Sequence, residues 1–74
     1  MSALQNHYPK PDYASYEMLT EVDAAKKLNI AIKTLQGWRL KGGGPNFCKF
    51  GRSVRYRTTD IENWISSNIH QHTA

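Results

Sequence analysis

The chain is short of several things at once, and each shortage closes off a class of function. A single cysteine, Cys48, cannot close an internal disulfide, which suits a reducing compartment. No apolar run approaches the length of a membrane span, and Met1 to Pro11 has neither the apolar core nor the cleavage pattern of an export signal. The expectation is a soluble, cytoplasmic chain with no membrane partner. With 74 residues there is one small domain, whose core stabilises it by on the order of a few kcal/mol net. Little volume remains for an enclosed small-molecule substrate pocket. Ser, His and Asp are scattered through helix starts and tail, so no enzyme and no catalytic residues are expected.

The sharpest shortage is of acid. From Ala31 to Arg57 there is no Asp or Glu, while Lys33, Arg39, Lys41, Lys49, Arg52, Arg55 and Arg57 all fall there. The flanks are net acidic, so the seven positive charges of this block outweigh them to leave the chain a formal net charge of +4. Such a split in so small a domain points to a surface that meets a polyanion, with nucleic acid the leading candidate.

Three domain segments are expected. Residues 1–17 form a polar, proline-spaced arm in which Pro9 and Pro11 favour extended backbone. It reads as a mobile terminus, with the sharper alternative that its tyrosines and Lys10 enter a DNA groove. Residues 18–69 form the folded domain, and residues 70–74 a disordered tail.

In the domain, Thr20 with Asp23 three residues on makes an approximate capping box for a first helix. Val22, Ala25 and Leu28 would form its apolar stripe, and Asn29 its left-handed stop. Glu17, Glu21 and Asp23 compensate the helix dipole, with contact to a basic neighbour the sharper alternative. A second helix is expected from about Ala31 to Lys41, stopped by Gly42-Gly43-Gly44-Pro45. Leu35 and Trp38 would face inward, with Lys33, Gln36, Gly37 and Leu40 opposite. Ile32 is also placed outward. Phe47–Phe50 and Val54–Arg57 alternate around Gly51-Arg52-Ser53 as a hairpin, with Val54 and Tyr56 inward and Arg55 and Arg57 outward. Thr59-Asp60-Ile61-Glu62 reads as a full capping box for a third helix, with Ile61, Trp64, Ile65 and Ile69 on its apolar face.

Two helices across a tight turn, followed by a basic hairpin, are the parts of a winged helix-turn-helix. The fold class expected is mainly α with a β-hairpin: helix-turn-helix, two-stranded wing, C-terminal helix. Ala25 at the crossing, Asn29 at the turn, and Leu35 and Trp38 inside the second helix meet its packing needs. An ordinary helical hairpin would share these residues, and the acid-free wing argues against it. The recognition residues expected on the second helix are Lys33, Thr34, Gln36, Gly37 and Arg39. Gln can pair with adenine, Lys can reach guanine, and a Thr methyl can meet thymine. On the wing, Arg52, Ser53 and Arg55 are the phosphate-gripping candidates. Arg39, Lys41, Lys49 and Arg57 would chiefly supply field. Trp38 and Trp64 lie on apolar faces, which favours core packing over base stacking. No metal site and no cofactor are expected: Cys48, His70 and His72 lack zinc spacing, and the glycine triplet lacks the strand and Lys-Ser/Thr of a phosphate loop.

The chain resembles the excisionase and AlpA-type family of small winged helix-turn-helix proteins, distantly similar to MerR-type DNA-binding domains. The resemblance runs through Leu19-Thr20, Ala24-Ala25 and Leu28, Thr34-Leu35 with Trp38-Arg39, Gly44-Pro45 with Phe47, Gly51-Arg52 with Val54-Arg55-Tyr56, Asp60-Ile61-Glu62 and Trp64-Ile65. It covers about residues 18–66. It implies a recombination directionality factor of a bacterial phage or mobile element that binds repeated double-stranded DNA sites and bends them. An integrase and neighbouring copies of the chain are the implied protein partners. An AlpA-type transcriptional regulator is the alternative within DNA binding, and a protein-interaction module or antirepressor is the alternative outside it. Two departures stand out: Ala31 where the family usually has a capping serine, and Gly37 where it often has a long polar side chain.

Overall fold

The computed structural model describes residues 16–71, in the order strand, helix, helix, strand, strand, helix. The expected arm up to residue 15, and residues 72–74 of the tail with His72, lie outside the described residues.

Helix α1 (Glu21–Leu28) begins and ends as its local chemistry requires. Thr20 Oγ1 accepts from the Asp23 amide at 3.1 Å, and Glu21 and Asp23 occupy the positive first turn. Asn29 closes it in the left-handed region (φ 58°), its amide donating to Lys26 O at 3.0 Å. Helix α2 (Ile32–Lys41) follows, with Ala31 at the N-cap and no side-chain cap bond, and Gly42 turning left-handed at its end. The glycine linker then folds back under α2. Gly44 has φ 79°, and a Cβ there would lie 2.9 Å from Trp38 Cβ, so both backbone and packing demand glycine.

The hairpin pairs β2 (Cys48–Phe50) with β3 (Ser53–Arg57) through a two-residue turn, Gly51-Arg52. Gly51 takes φ 62° at the first central position, where a II′ turn needs a glycine. A third strand, β1 (Met18–Thr20), pairs antiparallel with the other edge of β3, Leu19 opposite Tyr56. The sheet order is β1-β3-β2, so the expected two-stranded wing is the outer part of a three-stranded sheet. Three helices with this sheet make a small winged helix-turn-helix.

The core is Ala24, Ala25, Leu35, Tyr56 and Ile61, with Leu19, Leu28, Ile30, Ile32, Trp38 and Val54 packed around it. Two adjacent alanines on α1 admit α2, β3 and α3 (Thr58–Ser67) at close range. Val22, expected in the stripe, is instead 47% exposed, and Ala24 takes the buried position. Ile32, expected outward, packs on the core, because the first turn of α2 leans onto α1 after the Asn29 turn. Leu40 is exposed as expected. Trp38 and Trp64 pack together, ring centroids 5.6 Å apart, tying α2 to α3.

The start of α3 departs from the capping-box expectation. The helix begins at Thr58 with Arg57 at the N-cap, so Thr59 lies within the first turn, and its buried hydroxyl has no hydrogen-bond partner among the described residues. Longer-range partners do the fixing. The Thr58 amide donates to Glu17 O at 2.9 Å and the Glu17 amide donates to Thr58 Oγ1 at 3.0 Å, so the strand side anchors the helix entrance. Asp60, buried, accepts from Arg57 Nε and Nη2 at 2.7 and 2.9 Å. Of the expected apolar face, Ile61 is buried, Ile65 is 40% exposed, and Ile69, past the helix end, is 64% exposed. No helix of the described residues is long and apolar enough to cross a membrane.

Candidate nucleic-acid interface

The acid-free block runs through α2, the glycine linker and the hairpin. Its cations are sorted by two geometric facts, the turn of α2 and the register of the hairpin. On α2, Lys33 and Thr34 are exposed near the N-terminus, where no acidic residue and no side-chain cap offsets the positive end of the dipole. Gly37 is open, with nothing within 4 Å of where a Cβ would stand.

Gln36 and Arg39 are held rather than free. Gln36 Nε2 donates to Glu21 Oε2 at 3.1 Å, and Arg39 Nη1 donates to Glu21 Oε1 at 3.0 Å and to the Tyr56 hydroxyl at 3.1 Å. The Arg39 guanidinium also lies over the Phe47 ring, 5.7 Å from its centroid. Its pKa is raised above an already high value, first by the Tyr56 hydrogen bond and then by Glu21, against an opposing effect of burial. Arg39 is thus a fixed positive charge.

In the hairpin, Lys49 pairs with Val54, and Cys48 with Arg55. Cross-strand partners share a face. Lys49 therefore lies on the inner face with Val54 and Tyr56, toward α2, and Arg55 lies on the outer face. A cleft of about 390 Å³ between α2 and the wing is lined by Arg39, Leu40, Phe47, Lys49, Arg52 and Val54. It brings Arg39 of α2 together with Lys49 and Arg52 of the hairpin. Arg52 and Ser53 stand exposed at the turn.

The expected site residues accordingly fall into two groups. Lys33, Thr34, Gln36, Gly37 and Arg39 share α2, and Arg52 joins Arg39 across the cleft. Arg55 is separated from them by the sheet, and its Nη1 donates to Val54 O at 2.8 Å. Arg57, expected to point outward as a source of field, is tied to Asp60 and lies over the Tyr16 ring at 5.2 Å. Counting back from a two-residue Gly51-Arg52 turn would have set Lys49 on the inner face. That register was not drawn from the sequence, and Glu21 was expected to compensate the helix dipole or to meet a basic neighbouring molecule, not to pair within the domain. Its pairing with Gln36 and Arg39 spans 15 and 18 residues and carries no local signal. Among the described residues no group of three or more His, Cys, Asp or Glu could hold a metal ion.

A helix-turn-helix domain model matches residues 18–69, from the first strand to just beyond α3. The sequence has no significant match among curated proteins.

Proposed function

The chain belongs to the helix-turn-helix domain family, and from that premise we propose that it binds double-stranded DNA with α2 in the major groove and the wing on the adjacent backbone. The observation that supports this best is the cleft in which Arg39, Lys49 and Arg52 converge, with Lys33 and Thr34 exposed earlier on the same helix. A phosphate-bearing strand passing between helix and wing would meet these cations while base edges meet the open side of α2.

The fuller reading is an excisionase-like directionality factor of a phage or mobile element, without catalytic activity of its own. Its single domain offers a small footprint, so neighbouring copies on repeated sites would supply the discrimination one copy lacks. Bending the duplex carries an elastic cost of about a few kcal/mol, which groove and backbone contacts must offset. An integrase would then be placed on the bent DNA.

Salt titration of duplex binding tests the first step. About five neutralised phosphates give a log–log slope near −4.5, whereas a protein adaptor shows no duplex affinity at moderate salt. Footprinting on a genomic fragment library tests the second. Protected repeats at an attachment site support the excisionase reading, and a promoter site replaces it with an AlpA-type regulator.

A further inference from the structure

Glu21 sits in the first turn of α1, yet both its carboxylate oxygens are turned onto α2. One accepts from Gln36 and the other from Arg39. We propose that Glu21 is a specificity-determining positioning residue: it aims the Gln36 amide and withholds the Arg39 guanidinium, so that at the base pair facing Gln36 a base bearing an amino group in the major groove is favoured over guanine. The inference rests on the DNA-binding reading above.

The chemistry is one-sided. A carboxylate only accepts, so it draws the nitrogen end of the Gln36 amide toward itself and leaves Oε1 directed elsewhere. An unrestrained glutamine can present either end; this one is oriented. Oε1 accepts from adenine N6 or cytosine N4, and the remaining N–H can donate to adenine N7. Guanine offers only N7 and O6, both acceptors. The usual reader of guanine is an arginine fork, and the one arginine on α2 is shared between Glu21, the Tyr56 hydroxyl and the Phe47 face. One anion thus favours one kind of base and disfavours another. It also places a negative charge beside the duplex, at some cost in affinity for any sequence.

That combination gives a signature a purely structural contact would not. The full chain and its Glu21→Gln variant are each used to select from a pool of duplexes with a randomised centre. Base preference is read at every position, alongside random-duplex affinity over a salt series and Tm. In Glu21→Gln the new amide can donate as well as accept, so Gln36 is free to turn and Arg39 is loosened. Affinity for random duplex should rise about two- to five-fold with the lost negative charge, while preference for adenine or cytosine at the Gln36 base pair collapses or moves to guanine. Gln36→Ala should erase the same preference, and adding Glu21→Gln to it should restore none. Should Glu21→Gln melt too low to assay, Glu21→Asp withdraws the acceptor while keeping a first-turn acid, and the same loss of preference is expected. An unchanged base profile in a folded Glu21 variant overturns the inference alone. Absence of any duplex binding by the wild-type chain overturns the proposed function and the inference with it.

Discussion

The two faces of the sheet carry the same kind of side chain to different ends. On the inner face, Lys49 stands beside Val54 and looks across a cleft to Arg39, with Arg52 closing the rim. On the outer face, Arg55 bonds the backbone carbonyl of Val54, and Arg57 forks onto the buried Asp60. Lys49 and Arg52 converge on Arg39, whose charge is already held by Glu21, and cations gathered in this way gain from an anion that enters the cleft rather than from one another. Cations paired with protein acceptors are already satisfied. Position in a two-residue repeat therefore divides one basic hairpin into a part suited to a ligand and a part that holds the fold.

The largest effect is expected where the outer face meets α3. Asp60→Ala removes the acceptor of a doubly hydrogen-bonded, largely desolvated pair, and should destabilise the domain by about 2 kcal/mol in chemical denaturation. The salt slope of duplex binding, measured at a temperature where the variant is folded, should stay as it is. A steepened or flattened slope would mean that Arg57 also meets phosphate, and the division between faces would fail.

Next comes the inner face. Arg52→Ala and Lys49→Ala should each weaken binding to all sequences by about 1 kcal/mol, roughly five-fold, and flatten the salt slope by about 0.9. Tm should hardly move, since neither side chain supports the core. If Lys49→Ala leaves the slope untouched while Arg52→Ala changes it, only the tip of the wing meets DNA and the cleft is not the seat.

Gly37 sharpens the comparison from the helix side. Its Cβ position is open, so Gly37→Ala should raise stability by up to about 1 kcal/mol through helix propensity. If the α2 backbone approaches a groove closely at this point, the same methyl lowers duplex affinity even as Tm rises. Rising Tm with unchanged affinity would place the closest approach nearer Lys33 and Thr34.

What could be read from the sequence, and what could not, follows the range of the interactions. Thr20 and Asp23, Asn29, Gly42 and the Gly51 turn act within a few residues, so the limits of α1, the end of α2 and the existence of the hairpin were legible, although Ser53, expected in the bend, joins β3 and sets the register. Strand β1 was not: three residues carry too little pattern, and it exists because β3 offers an unpaired edge from the far end of the domain. The same reach moved the start of α3, where Glu17 bonds Thr58 across 41 positions and pre-empts the Thr59 box. At the interface, the membership of α2 was legible from its period. The restraint of Gln36 and Arg39 was not, because a glutamate in the first turn of a helix already has a sufficient local reason to be there.

The smallest effect belongs to Arg55, and it tests the division most directly. From the sequence it ranks with Arg52, both being phosphate-gripping candidates of a basic wing. Register sets it on the other face, half-buried, with its guanidinium spent on a neighbouring carbonyl. Arg55→Ala should therefore change stability by no more than about 0.5 kcal/mol and flatten the salt slope far less than Arg52→Ala does. Equal flattening by the two variants would show that the duplex, or a second strand of it, reaches round the edge of β2 to the outer face. In that event the wing would be gripped from both sides, and the cleft would be only one of two seats for phosphate.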